Sequence, residues 1–506
     1  MHSKGEAPDS PTGTFPEEPL LHQSSQPQQQ AQSADLRTFV TPSNGHIAAD
    51  TIVALATPPG VSALAIIRVS GPQSVHYLQQ LVKDTSAPSQ PDEAIPWPAR
   101  RARHVTLRHR GELLDDVVAT AWFRPNSPTG EDVVEISCHG NPLIIKRIVA
   151  ALLQLGARAA EPGEFTQRAF LSGRMDLTQA EAVLDLIHAG SERALAGARA
   201  MKDGRLGLRM RDLRTSLINL LAHLEAYIDF PEEDIAPDTG EEFLQKIAAL
   251  RVEVQRLIAT APLGRVLREG ALVAIVGEPN TGKSSLLNAM LRENRAIVSP
   301  TPGTTRDYLE ADCNIRGMAV RLVDTAGHRT TSDPIEAEGV RRAEAVAARA
   351  HIILHLMEAH RPAGEQTGTL KREDFPEAKA YIRVANKADL GRHPSYCEAS
   401  AGNTVFISAT LGDGLGDLEA AIESALLAAR PDDDQGWLTV NARQEAALAN
   451  ADASLAEAEL AMREEAPPEL ISVDLRAALH SIGEVIGLAT TEDILDQLFK
   501  NFCIGK

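Results

Sequence analysis

The run Gly277-Glu-Pro-Asn-Thr-Gly-Lys-Ser284 follows an apolar stretch, Ala271–Val276, and precedes Leu286-Leu287. It has the spacing G-x-x-x-x-G-K-[ST] in the strand-then-helix setting that this motif requires. Glycines there let backbone N–H groups curl around phosphate oxygens, and the following helix N-terminus favours negative charge. Lys283 is placed to reach the β- and γ-phosphates, and the Ser284 hydroxyl to ligate Mg²⁺. Thr281, Gly282 and Ser285 belong to the same phosphate-binding loop.

Three later segments narrow the ligand. Asp324-Thr325-Ala326-Gly327 ends an expected strand, where an Asp can approach Mg²⁺ and a Gly N–H the γ-phosphate. Asn386-Lys387-Ala388-Asp389 ends another; a carboxylate at Asp389 can accept two hydrogens from a guanine edge, which adenine cannot supply. Ser408-Ala409 closes the last strand, where a backbone amide can meet the guanine oxygen. Thr304-Thr305 lies between the first two elements, with Thr305 the natural second Mg²⁺ ligand. Ligand groups at successive strand ends are what open α/β sheets present, and the set resembles the GTPase superfamily with GTP as nucleotide. Hydrolysis needs more. The position after Gly327 is His328, where many small GTPases place a water-orienting Gln. Asn280, inside the loop, has a side-chain oxygen that can help hold a monovalent cation beside the phosphates; read alone, it is equally a turn residue.

The elements that must position these groups alternate. Strands are expected at Ala271–Val276, Val320–Asp324, Ile352–Leu356, Tyr381–Asn386 and Val405–Ser408, with helices between them, hence a mostly parallel sheet. Helical patterns flank this block. Thr178-Gln-Ala-Glu181 reads as a capping box opening a helix. Leu213, Leu217, Leu220, Leu221 and Leu224 fall on one helical face closed by Pro231, and Phe243, Ile247, Leu250, Val254 and Leu257 mark another. Periodic helix resumes after Trp437. Nearer the N-terminus, Thr51–Ala56, Ala63–Val69, Val117–Phe123 and Val133–Ser137 read as strands and Leu143–Leu155 as a helix, an α+β unit. Residues up to about Asn44 are rich in Pro, Ser, Gln and Gly, the composition of a disordered extension.

Composition bounds the rest. The 506 residues suggest about three domains, with 43% hydrophobic and 24% charged residues as in ordinary globular proteins. A net charge of −19 argues against coating nucleic acid or anionic membrane by bulk charge, while leaving a local basic patch open. No apolar run is long enough for a transmembrane helix. The four cysteines, Cys138, Cys313, Cys397 and Cys503, are far apart and fit neither a disulfide framework nor zinc spacing, so a reducing, cytoplasmic setting is expected.

The flanking residues narrow the family. Thr51-Ile-Val-Ala, Ala56-Thr-Pro-Pro-Gly60, Ile67-Arg-Val-Ser-Gly71, Thr129-Gly-Glu-Asp132, Pro162-Gly-Glu-Phe165-Thr-Gln-Arg-Ala-Phe170 and the terminal Phe502-Cys-Ile-Gly-Lys506 together resemble the MnmE (TrmE) tRNA-modification GTPase family, from about Asp50 to the end. Behind the disordered extension (1–47) read from composition, the resemblance implies a multidomain chain: an α+β folate-binding-like dimerisation domain (48–172) and an all-α helical domain (173–267 and 431–506). An α/β P-loop GTPase domain (268–430) is inserted into the helical one. It implies a homodimer whose GTPase domains meet across nucleotide in a potassium-dependent way. It also implies a heterotetramer with the FAD-dependent partner MnmG (GidA), no membrane, and an aminomethyl-type group placed at C5 of the wobble uridine of certain tRNAs. The one-carbon unit comes from 5-formyl- or methylene-tetrahydrofolate.

By that resemblance Asn280, Ser299, Thr301 and Thr304 take K⁺, and Glu336 orients the attacking water. Catalysis is thereby expected to rest on Glu336, Asn280 and Lys283. Arg68, Glu135, Arg174 and Lys506 map onto the folate positions; a carboxylate suits a pterin's donor edge, and cations suit the folate glutamate tail. Glu135, between Val134 and Ile136, is expected to face away from the core. Arg174 stands where the family has lysine, keeping charge but not geometry. Cys503 is either a nucleophile or a packed thiol. His328 replaces a usually hydrophobic residue, and His328→Leu is expected to change GTP turnover by less than about tenfold. The competing reading is a ribosome-assembly GTPase acting as an RNA-binding switch, but no RNP1 or KH-type motif stands out.

Overall fold

The computed structural model describes residues 50–83, 97–229, 241–293, 310–324, 348–366, 373, 375, 378–397, 404–428 and 437–505. The N-terminal extension lies outside them.

The first unit is a six-stranded sheet built from β1 (Ile52–Leu55), β2 (Ser62–Ser70), β3 (Arg103–His109), β4 (Glu112–Trp122), β5 (Val133–Gly140) and β6 (Arg158–Ala159), in the order β3-β4-β5-β2-β1-β6. Helices α1 (Ser74–Lys83) and α2 (Pro142–Gln154) supply Leu78, Leu81, Ile148 and Leu152 to a core with Ile67, Val69, Val134 and Ile136. Asn141 caps α2 by accepting the Leu143 N–H at 2.8 Å, and Pro142 occupies the first turn, where a missing N–H is harmless. Alternation along β5 sends Val134 and Ile136 into that core and Glu135 to the opposite face. Near β1 that opposite face is covered by Phe165 of α3 (Glu164–Leu171).

The helical unit comprises α4 (Leu177–His188), α5 (Glu192–Lys202), α6 (Arg205–Asp229), α7 (Glu241–Ile258) and α8 (Ala261–Glu269). It resumes after the second sheet. The leucines of α6 and the apolar positions of α7 pack in one core with Leu448, Leu455, Leu475 and Ile482, which come from the far end of the chain. The capping box opening α4 is displaced from its expected place. Asp176, not Thr178, is the N-cap, accepting the Gln179 N–H at 3.0 Å while the Gln179 side chain returns to the Asp176 N–H. Thr178 sits inside the first turn and donates its hydroxyl to Asp176. Asp is as good a cap as Thr and lies nearer the chain reversal, so it takes the role.

Between these helical segments stands the second sheet: β7 (Ala271–Gly277), β8 (Glu310–Ile315), β9 (Met318–Asp324), β10 (Ile352–Glu358), β11 (Ala380–Asn386) and β12 (Thr404–Phe406), ordered β12-β11-β10-β7-β9-β8. All its pairs are parallel except β8 with β9. Helix α9 (Lys283–Glu293) follows β7, α10 (Ala363–Gln366) follows β10 and α11 (Leu415–Leu427) follows β12. The chain then returns through α12 (Ala442–Arg463), α13 (Pro468–Ile486) and α14 (Glu492–Phe499). Edge strand β8 has no counterpart in the expected elements: it buries only Cys313 and Ile315 and reads as mostly polar. β12 stops two residues before Ser408, shorter than expected, and Ser408-Ala409 lie in the loop beyond it.

Candidate functional site

Strand β7 sits where the sheet's order reverses, flanked by β10 and β9, so its C-terminal end opens onto the crevice where α/β sheets bind ligands. Register brings Ile275 beside Asp324 and Gly277 beside Leu356. The loop after Gly277 turns into α9 through Asn280 (φ 68°) and Gly282 (φ 94°). At Gly282 a Cβ would sit 2.4 Å from Asn386 Nδ2, so a larger residue would push the loop off its support.

That support is specific. Asn386, 2% exposed, donates Nδ2–H to Thr281 O at 2.8 Å and accepts the Ala409 N–H on Oδ1 at 3.0 Å. One side chain thus ties the phosphate loop to the Ser408-Ala409 loop. Lys283 is buried, and its ammonium donates to Gly277 O and Glu278 O, each at 3.0 Å. Burial pulls this ammonium below its ordinary range, against the opposing pull of Asp324. A phosphate at this point would add to the counter-charge that Asp324 gives the ammonium.

Ser284 donates its hydroxyl to Asp324 Oδ2 at 2.8 Å. Asp324 Oδ1 is buried with no hydrogen-bond partner among the described residues. A carboxylate with one free, buried oxygen beside a serine hydroxyl fits a hard cation taking oxygen ligands. On the base side, Lys387 adopts a left-handed conformation (φ 59°) and pairs with Glu358. Burial alone would raise the Glu358 carboxyl, but Lys387, His360 and Arg361 bring it below the usual carboxylate range. Asp389 follows on an exposed turn, free to meet a ligand. Ser284, Asp324, Asn386 and Ala409 therefore converge at the strand ends with Lys283 and Thr281. Ser299, Thr301, Thr304, Thr305, Thr325, Ala326, Gly327, His328 and Glu336 lie outside the described residues, so of the K⁺ set only Asn280 is described.

A second polar cluster lies on the N-terminal sheet. Arg68 of β2 faces Glu135 of β5 in register and donates Nε and Nη2 to the same oxygen, Oε1, at 3.0 and 2.8 Å. Its Nη1 reaches Gly505 O at 3.2 Å, and its guanidinium lies 5.6 Å from the Phe165 ring centroid. The C-terminal tail is laid on this sheet: Ile504 bridges to Pro162, and a Cβ on Gly505 would stand 2.2 Å from Leu55 O. Glu135 Oε2 makes none of the described hydrogen bonds, leaving a carboxylate oxygen for a donor edge. Arg174 is exposed beside Gly130, and no described contact joins it to the Arg68–Glu135 pair. Lys506 is outside the described residues; Cys503 is exposed.

Sequence reading did not single out the cluster beside this face. Arg168, 5% exposed, pairs with Glu164, Glu131 and Asp50, and Arg158 joins through Glu164 and Asp50. The signal was present, since Glu131, Glu164 and Arg168 all lie within quoted motifs, but spacing alone does not show that they meet.

Two family models match this chain: the N-terminus of the GTP-binding protein TrmE over residues 51–174, and the MnmE helical domain over residues 177–503. The tRNA modification GTPase MnmE of Akkermansia muciniphila is 42% identical over 463 residues, covering 90% of this chain and 99% of its own. The chain belongs to the MnmE family. The MnmE of Symbiobacterium thermophilum is likewise 42% identical over 467 residues, covering 90% of this chain and 99% of its own. A solved structure of Aquifex aeolicus Era bound to GDP and AlF₄⁻ is 28% identical, covers 36% of this chain and 66% of that one, and has a TM-score of 0.24. The MnmE layout accounts for the order seen here, with an α+β sheet first and a nucleotide-binding sheet set within a helical unit. No helix among the described residues is long and apolar enough to cross a membrane.

Proposed function

We propose that this chain is a GTP hydrolase acting in tRNA modification. In this reading it works with the FAD-dependent partner MnmG to place an aminomethyl-type group at C5 of the wobble uridine of certain tRNAs, drawing the one-carbon unit from a folate. The observation that carries the reading is that one chain holds both the Ser284–Asp324 phosphate crevice and the Arg68–Glu135 pair with the C-terminal tail laid against it.

On the nucleotide side, the Thr281–Ser285 amides and Lys283 bind the phosphates. Asp389 selects guanine, and Asn386 holds the two loops that frame it. Ser284 and Thr305 would hold Mg²⁺, which would supply positive charge to the phosphates. Asn280, Ser299, Thr301 and Thr304 would hold K⁺, which would supply the positive charge that an arginine finger supplies elsewhere, and Glu336 would orient the attacking water. On the folate side, Glu135 would accept from a pterin donor edge, Arg68 fixes that carboxylate, and Arg174 and Lys506 would supply cations suited to the glutamate tail. Hydrolysis then drives pairing and separation of the nucleotide-binding domains of a homodimer in a cytoplasmic setting.

Two measurements test this. GTP hydrolysis in K⁺ is expected to exceed that in Na⁺ at equal ionic strength, and equal rates count against the cation role. Mass spectrometry of wobble uridine in a deletion strain is expected to show the C5 group missing; its retention removes the biological reading.

A further inference from the structure

Arg193, in the first turn of α5, is gripped by segments from both sides of the second sheet's long excursion. Its backbone N–H donates to Gly317 O at 3.1 Å, and its guanidinium pairs with Glu423 of α11. The same guanidinium stacks over Trp437, 4.9 Å from the ring centroid, on the segment that returns to α12. Its Cγ lies 3.4 Å from where a Cβ on Gly317 would stand. Arg316 completes the knot, donating to Glu423 Oε2 and to Gly416 O, each at 3.2 Å. The Arg193 hydrogen bond, with Arg316 behind it, holds the Glu423 carboxyl below its usual range. Beneath the charges, Ala194, Leu263 and Leu267 form an apolar cluster with Leu427 and Trp437.

Position gives these contacts their meaning. Gly317 is in the turn of the β8–β9 hairpin, and β9 runs from that turn to Asp324. At about 3.3 Å per residue, β9 sets Asp324 about 20 Å from that turn along one continuous strand. α11 begins six residues after Ala409 and carries Glu423 on its third turn. Arg193 thus touches the far ends of two elements whose near ends carry nucleotide-site groups. On its other side, α5 packs on α4 and α8 of the helical unit.

We propose that Arg193 is a positioning residue that couples the state of the nucleotide site to the helical unit, passing the position of the β8–β9 hairpin and α11 to α5. The proposal rests on the reading of the crevice as a GTP site. It predicts that removing the guanidinium separates nucleotide binding from its effect on α5. A lysine keeps charge but loses the fork and the stack, so it restores the coupling only in part.

Hydrogen exchange followed by mass spectrometry on the full chain tests it, comparing GDP with GDP–aluminium fluoride in K⁺ and Mg²⁺. In the wild type, exchange within Glu192–Lys202 is expected to differ at least about threefold between the two nucleotides. In Arg193→Met and Glu423→Gln that difference is expected to vanish. Protection of Gly277–Leu287 by nucleotide persists, and GTP hydrolysis stays within about threefold; Arg193→Lys is intermediate. The idea is overturned if α5 is insensitive to nucleotide in the wild type, or if Arg193→Met keeps the difference. It is equally overturned if the variants lose protection of α5 and Gly277–Leu287 together, since Arg193 then only holds the fold. Should Arg193→Met not fold, Glu423→Gln carries the same outcomes. Failure of the GTP reading has a separate signature: no nucleotide protects Gly277–Leu287 in the wild type.

Discussion

Ser284 donates to one oxygen of Asp324 at 2.8 Å, while the other oxygen of that carboxylate is buried with no partner among the described residues. Asp324→Asn keeps the volume and a hydrogen bond but removes the charge that faces a cation. GTP turnover is expected to fall at least about tenfold, roughly 1.4 kcal/mol in activation free energy, with the Mg²⁺ requirement shifted to higher concentration. Single-turnover hydrolysis across a Mg²⁺ titration checks this. An unchanged midpoint would remove Asp324 from the cation's surroundings.

Asn386→Ala leaves Thr281 O and Ala409 N–H unpaired in a buried place. A buried group without its partner costs about 1–3 kcal/mol. Guanine nucleotide affinity is expected to drop by roughly tenfold or more, with no change in base preference, because Asn386 frames both loops. Asp389→Asn is expected to do the reverse, relaxing guanine preference toward xanthine, whose edge offers an acceptor to the new amide. Competition binding with guanosine and xanthosine diphosphates separates the two variants.

His355 is buried in β10 with Nδ1 at 2.7 Å from the Tyr381 hydroxyl. Burial, helped by Arg383, lowers it to about 4 from 6.5. Above pH 6.5 both folded and unfolded forms are neutral there, so no stability depends on it. As pH falls from 6.5 toward 4 the unfolded chain takes up the proton first, and stability declines. The linkage amounts to about 2 kcal/mol by pH 5, with the slope ending near pH 4. His355→Gln is expected to flatten that part of the curve, as read by denaturant unfolding at pH 7, 6 and 5. Parallel curves for the two proteins would assign the pH dependence elsewhere.

Arg168 stands among Glu164, Glu131 and Asp50. Burial opposes its charge, but these carboxylates more than offset that and raise its affinity for the proton. Arg168→Met leaves Glu131 without its described cation and leaves Glu164 and Asp50 to Arg158 alone, and breaking such a cluster costs about 3–5 kcal/mol. The melting temperature is expected to drop by several degrees, more than for Arg174→Met, because Arg174 is exposed. Calorimetry on the two variants decides it.

The phosphate loop was legible because its chemistry is local: eight consecutive residues, one strand before and one helix after, leave little freedom for the backbone. The helical faces of α6 and α7 were legible for a similar reason, since a period of 3.6 residues betrays which side is buried. Glu135 also faced away from the core as alternation required. Edge strand β8 escaped because it is polar on one face and short, and the α4 cap shifted because Asp176, two residues before Thr178, accepts the Gln179 N–H and opens the helix earlier.

By itself the sequence determined the nucleotide loop, the Asn386–Asp389 segment that ends a strand of the same sheet, the α/β unit set within helices, and the family. Each of these depends on residues close together in the chain, or on motifs whose spacing has few structural solutions. Only the tertiary structure decided that Asn386 links two loops and that Arg68 joins Glu135 to the C-terminal tail, 437 residues away at Gly505. The convergence of Arg193, Glu423, Gly317 and Trp437 belongs with them. Such contacts arise from sheet register and helix packing, which set distances between residues that no local pattern relates.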